Sequence, residues 1–387
     1  MLKIKNRQGI LTTLALICAA IALVAAPEEA MEGAQSGLSL CLNVIVPSLF
    51  PFFVLSSLVV DLGIAAKLGR LLEPVMRPLF RVRGSCAGAL VLGFIGGYPV
   101  GARTALQLYQ QGLCTKTEAE RLLAFCNNSG PAFILGVVGA GIFGDSRVGL
   151  LLYLTHAAAS LVVGFLARFY KSSGSCSHAC RAKPIAMRPL PTAFTEAVTH
   201  AMQSVLNICA FVIFFSVVLR LLTAYGILSI LAQLLSLFGF EPEWARRLVA
   251  GLLELSSGVS SLSSGGKFSG LASMAAFMLG WAGLSVHCQV LSFLADSGLS
   301  AKIYLAGKLC HGLIAAGLTW LLAQFFPLKE PVVYYLAEQA ETLANLSFSA
   351  ALTASLGAAL TAGLLLVLIC SLCLRKRGRK TAQNKVY

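Results

Sequence analysis

Arg103 closes the run Gly96-Gly97-Tyr98-Pro99-Val100-Gly101-Ala102-Arg103, inside an apolar segment where an ionised side chain is costly and usually functional. Glycines and Pro99 should break a helix there, leaving unbonded amides at the start of the second half-helix. A positive helix end beside a guanidinium suits an anion, and a carboxylate best of all. Arg103, Gly97, Tyr98 and Pro99 are therefore candidate substrate contacts. Asn127, Asn128 and Ser129 precede Gly130-Pro131 and form a second break, with donors and acceptors suited to a ligand. The plainer alternatives are a snorkelling Arg103 and ordinary helix-to-helix bonding by the amides.

The second half of the chain carries a parallel set. Ser257, Gly258 and Ser260, with Ser256 and Ser261 beside them, offer hydroxyls and amides without charge. Ser285 and His287 follow Trp281-Ala282-Gly283 at another break. Glu254 is open to three roles: a proton or cation site, a partner for Arg103, or an interfacial acid. Lys308 and His311 share a helical face at i and i+3, with His156 in the matching place of the first half, and can add positive charge, relay protons or simply pack. Cys176, His178 and Cys180 lack zinc-finger spacing. No P-loop, HExxH or nucleophile elbow occurs, so the reading is of no enzyme, no metal and no cofactor.

The elements that must position these groups are membrane helices. Of 387 residues 57% are hydrophobic and 12% charged, against about a quarter charged in a soluble domain. A net charge of +14 gathers beside apolar runs, as on the cytoplasmic flanks of membrane spans, which argues against nucleic acid. The twelve cysteines lack a framework spacing and read as packing residues. Crossings are expected at Ile10–Ala26, Leu42–Val60, Arg121–Phe143, Val148–Phe169, Ala201–Leu222, Leu271–Leu294, Ile303–Phe326 and Ala350–Leu374, with both termini cytoplasmic. Pro27 should block cleavage after the first run and keep it as an anchor. Lys67 to Arg83 reads as an amphipathic stretch on the inner surface.

Ser85–Leu113 and Trp244–Gly266 are too broken to cross and are expected to be re-entrant hairpins, the second with its tip at Leu255 to Ser261. The two halves also match: Leu42-Asn43 with Leu206-Asn207, Leu90 to Gly93 with Leu248 to Gly251, and Arg147, His156 and Phe165 with Lys302, His311 and Trp320 at one shared offset. The charge count inverts one repeat relative to the other, which points to a secondary transporter with a midplane site. The expected fold is thus an all-α polytopic membrane protein with two inverted repeats. Its divisions are an anchor and linker at 1–37, repeats at 38–170 and 192–326, a cytoplasmic loop at 171–191, an acidic external loop and final span at 327–374, and a basic tail at 375–387.

Asn43-Val44-Ile45-Val46-Pro47-Ser48-Leu49-Phe50-Pro51-Phe52, Gly96 to Ala102, Cys126 to Pro131 and Gly283-Leu284-Ser285-Val286-His287 resemble the YlbJ (SpoVV) family of sporulation integral membrane proteins with nucleoside-recognition, or Gate, domains. The likeness covers roughly residues 38–325 and implies a core similar to that of concentrative nucleoside transporters. It further implies export of dipicolinate across the outer forespore membrane. Partners on this reading are a small anionic substrate and the lipid bilayer, with homo-oligomerisation left open. A nucleoside or other small-solute carrier, in a cell membrane, and a structural sporulation protein are the alternatives.

Overall fold

The computed structural model describes residues 2–62, 64–171, 189–263 and 266–325. Among them helices alternate with short turns and no strand occurs. The loop with Cys176, His178 and Cys180, the acidic loop, the final expected crossing and the basic tail lie outside the described residues.

The first helix, α1 (Leu2–Ala25), exposes apolar side chains such as Ile10, Leu16, Ile21 and Val24, as a lipid-facing helix does. Pro27 opens α2 (Pro27–Leu40) at a bend of 95°. The segment expected to link the anchor to the next span is therefore helical. It continues through a π-helical stretch (Cys41–Ile45) into α3 (Val46–Asp61), so the boundary expected at 37/38 falls within a helix. Glycine makes this possible: a Cβ at Gly33 or Gly37 would stand 2.8 Å from the Cα of Val217 or Ile213 on the later helix α9. Cys41 follows on the same stripe, its thiol 3.7 Å from the Cys209 carbonyl. Gly33, Gly37 and Cys41 thus step by four residues against Val217, Ile213 and Cys209, which makes the pair antiparallel. Glu32 closes it in an ion pair with Arg220 at 3.2 Å.

Helix α4 (Ile64–Phe80) buries Leu72, Val75, Met76 and Phe80, leaves Arg77 exposed, and turns by 94° into the first hairpin, as expected of a surface helix. The hairpin consists of α5 (Ala87–Gly96) and α6 (Val100–Gln110), closed at its base by the Ser85 hydroxyl donating to Leu113 O at 2.8 Å. The first broken span is α7 (Lys116–Leu123), a non-helical passage through Asn127 to Gly130, and a π-helical segment (Ala132–Ile142). Thr115 and Glu118 form a reciprocal capping box on α7. Asp145 caps α8 (Ser146–Ala167) by accepting from the Arg147 N–H at 2.8 Å, and the Arg147 guanidinium hydrogen bond holds its carboxyl below the usual range.

The second repeat opens with α9 (Leu190–Ala224), at 35 residues and about 52 Å far longer than the expected Ala201–Leu222. The short amphipathic α10 (Ile227–Ser236) leads to the second hairpin, α11 (Pro242–Leu253) and α12 (Leu255–Ser260). Its turn is Glu254, and the serines expected at the tip lie along its second arm. The next span is broken at Ala282 and Gly283, φ 80° and 81°, between α13 (Phe268–Trp281) and α14 (Gly283–Leu294). Last among the described helices is α15 (Ala301–Ala323). Among the described residues four helical runs are long and apolar enough to cross a membrane, α8, α9, Phe268–Leu294 and α15, or six if the bent pairs Thr13–Ala25 with Pro27–Asn43 and Leu71–Phe80 with Gly84–Gly96 each count as one span.

The repeats are inverted. At one end, Arg121 donates to the carbonyls of Tyr170 and Arg81, and Glu120 accepts from Lys171 and the Ser300 N–H. The first hairpin's base opens at that end. At the other, Phe143 meets Phe268 with ring centroids 6.0 Å apart and Trp244 packs over Gly266 and Gly270 at the base of the second hairpin. The repeats also interlock, α8 meeting α15 through Thr155 and Thr319, hydroxyls 2.7 Å apart, while within the second repeat Ser273 of α13 donates to Ala316 O at 2.9 Å.

Candidate functional site

Each hairpin crosses at paired glycines and receives its own broken span there. A Cβ at Gly93 or Gly101 would lie 1.8 or 1.9 Å from the Cys126 carbonyl oxygen, so the end of the first half-span is seated between the two arms. Gly97, at φ 77°, meets Gly130, with a built Cβ 2.9 Å from Gly130 N. In the second hairpin a Cβ at Gly258 would lie 2.2 Å from Gly251 Cα, and a Cβ at Gly283 would lie 3.0 Å from Leu255 N. Non-helical backbone is thereby buried in protein, the condition under which it is tolerated at membrane depth.

Lys308 stands at the centre. Its ammonium is 0% exposed and donates to Asn127 O at 2.9 Å and to the Tyr98 hydroxyl at 3.2 Å, while lying 4.7 Å from the Tyr98 ring centroid. The Tyr98 hydroxyl in turn donates to Leu279 O, just before the second break. No carboxylate of the described residues pairs with Lys308, so a positive charge on its amine has no counter-ion, which is a costly condition. The Asn127 side chain stands beside the Tyr304 hydroxyl, and among the described residues Oδ1 of Asn128 and Nε2 of His287 have no partner. Buried polar atoms are normally satisfied, and here the donors that could meet a polar acceptor are the Lys308 amine, the Asn127 Nδ2 and the His287 Nε2–H. Asn128 otherwise donates to Phe125 O at 3.0 Å, and His287 Nδ1 meets the Tyr304 hydroxyl at 3.0 Å with Trp281 edge-on at 4.3 Å.

Of the residues singled out from the sequence, Tyr98, Asn127, His287 and Lys308 come together here, with Gly97, Pro99 and Ser129 in the supporting backbone. Ser129 N–H donates to His156 Nε2 at 3.1 Å. Arg103 does not join them: it donates to His200 O on α9 at 3.3 Å and lies 5.9 Å from the Phe53 ring centroid, pinning the hairpin to α3 and α9. Four residues along α6 from Pro99, its side chain has turned away from the tip, and the cation at the tip comes from α15. Glu254 pairs with neither Arg103 nor any other cation of the described residues. Its carboxylate accepts from Ser256 N–H at 3.0 Å and Ser257 N–H at 2.7 Å, an N-cap on α12. Ser257 and Gly258 form that arm's wall and Ser260 is exposed, away from Lys308, while Ser285 is buried in the first turn of α14. His311 Nε2 donates to the His156 carbonyl at 2.9 Å.

Tyr304 was not foreseen. It is completely buried, and its spacing to Lys308 and His311, i, i+4 and i+7 on α15, places all three on one stripe, a pattern readable in the sequence.

Fold and site together define a polytopic helical membrane protein with a shielded cationic centre between inverted repeats. Residues 42–167 match the Gate family model, described as nucleoside recognition. The chain is 34% identical over 323 residues to the sporulation integral membrane protein YlbJ of Bacillus subtilis (strain 168), covering 78% of this chain and 79% of that one, and it belongs to that family. An uncharacterized protein of Alkalihalophilus pseudofirmus is 29% identical over 126 residues, 32% of this chain and 27% of its own. A solved structure of CNTnw in an intermediate state covers 84% of this chain and 86% of its own at 14% identity, with a TM-score of 0.48.

Proposed function

We propose that this chain is a secondary transporter for a small planar carboxylate, and that the substrate is dipicolinate, carried across the outer forespore membrane by alternating access, with both termini on the mother-cell side. The observation that carries the proposal is Lys308: a completely buried ammonium, among orphaned amide and imidazole atoms, without a carboxylate partner among the described residues. A substrate carboxylate supplies the missing charge. Asn127 Nδ2 and His287 Nε2 offer hydrogen bonds to a second carboxylate or the ring nitrogen, while Tyr98, Trp281 and Tyr304 supply flat apolar surface. Because α8 and α15 interlock, the moving body on this reading is not one repeat against the other. It is the hairpins with the broken spans, α8 and α15, shifting against the pillar of α2, α3 and α9, with Arg103 at the sliding contact.

A nucleoside carrier is the second reading, favoured by the description of the matched Gate model. Purified full-length chain melted with dipicolinate, picolinate or uridine separates the two, followed by uptake of labelled ligand into proteoliposomes. Stabilisation and uptake with dipicolinate are expected. Stabilisation by uridine alone would transfer the chain to the nucleoside carriers, and neither binding nor uptake would leave a structural membrane protein.

A further inference from the structure

The proposed anion site leaves a buried pair of histidines unused. His156 and His311 occupy matching positions in the two repeats, are both 0% exposed, and touch with ring centroids 4.3 Å apart and planes tilted by 42°. Their partners fix their tautomers. His156 accepts from Ser129 N–H at Nε2, so its hydrogen is on Nδ1; His311 donates from Nε2 to the His156 carbonyl, so its Nδ1 carries a lone pair. Neither Nδ1 has a partner. The pair thus presents one free donor and one free acceptor in ring contact, and His311 Nδ1 is its one open proton-accepting atom.

The groups facing this atom decide when it can be charged. On α15, Lys308 precedes His311 by one helical turn and Tyr304 by two; α8 brings His156 and the Thr155 hydroxyl. Tyr98 and Asn127 at the hairpin tip and first break meet Lys308, and His287 of α14 meets Tyr304, one and two turns away from His311 along α15. Helix α13 and the segment Ala132–Ile142 carry no titratable side chain. Glu118, Glu120 and Arg121 of α7 are engaged at the basic end. A second cation beside Lys308 is therefore strongly opposed while the site holds no anion. A bound dianion reverses this: Lys308 balances one negative charge and one is left over, in a region shielded from water.

Resting on the anion reading above and deepening it, we infer that His311 Nδ1 takes up one proton as a dicarboxylate binds beside Lys308, so that dianion and proton move together and the loaded site is neutral. The proton comes from the aqueous buffer and forms an N–H on His311. At a pH low enough that Lys308 is ionised in the empty site, where the titrations are run, a monocarboxylate is already balanced by it and recruits none. By linkage, dicarboxylate affinity weakens about tenfold per pH unit as pH rises.

Calorimetric titration of the purified full chain in phosphate and in Tris, whose ionisation enthalpies differ, counts the protons. The expected result is uptake near one with dipicolinate and near zero with picolinate. His311→Gln keeps the N–H donor, and should bind dipicolinate with no uptake and no pH dependence. Dipicolinate binding without proton uptake in the wild type, equal uptake with both ligands, or unchanged uptake in His311→Gln overturns the proton site and leaves the anion reading standing. No binding of either carboxylate overturns both.

Discussion

Replacing Lys308 with Met should leave the empty protein as stable or more stable while abolishing its response to anion. Met keeps the length and volume of the stem and removes the charge. Against the variant stand the two hydrogen bonds to Asn127 O and Tyr98, of which only the Asn127 carbonyl is left without a donor, a cost of about 1–3 kcal/mol. In its favour is release from holding a buried ion, several kcal/mol even after relaxation. The balance falls between zero and about 3 kcal/mol in favour of Met. Melting curves in detergent with and without dipicolinate test this. At a hundredfold excess over Kd the ligand should stabilise the wild type by about 2.7 kcal/mol and the variant not at all, so the order of melting temperatures reverses on adding ligand. Destabilisation of the empty variant by about 3–5 kcal/mol is the mark of a broken buried ion pair and would refute the uncompensated cation. Retained ligand stabilisation would remove Lys308 from the site.

Gly101→Ala places a methyl group against the Cys126 carbonyl, backbone that cannot step aside, and should cost at least about 1–3 kcal/mol, whereas Gly136→Ala meets nothing within 4 Å and should melt like the wild type. Equal melting temperatures would remove the seat of the broken span in the hairpin. Asp145→Asn tests the cap on α8. Arg147 holds the native carboxyl below its unfolded value, so its contribution is present above the ordinary carboxylate range and is lost as pH falls through the lowered value. Melting of the wild type should fall with acidification in that range more steeply than that of the variant; parallel curves would remove the cap's electrostatic part.

The hairpins and broken spans were legible because they rest on local chemistry. Pro99 and Pro131 lack the donor a helix needs, and glycine tolerates the positive φ seen at Gly97 and Gly283. Runs of about 20 apolar residues cannot be read as anything but membrane-embedded helix. Less legible were the extents: Glu28, Glu29 and Glu32 looked like a linker, yet they sit on a helix because Gly33 and Gly37 fit against α9 and Glu32 reaches Arg220. Glu254 looked like a charge partner, and its carboxylate is instead occupied by two backbone N–H groups of its own hairpin.

What the sequence determined by itself was the membrane setting, the helical class, the duplication and the breaks at Gly97-Tyr98-Pro99, before Pro131 and at Ala282-Gly283, all consequences of hydropathy, glycine and proline acting over a few residues; the second hairpin turns at Glu254, before the serines expected at its tip. Which cation stands at the hairpin tip was decided only by tertiary structure. Arg103 is the near neighbour of that tip along the chain, but its helix points it at α9; Lys308 arrives from a helix about two hundred residues later because α15 packs across the first break. Sequence proximity fixes the backbone a residue belongs to, while the crossing of helices fixes what its side chain meets.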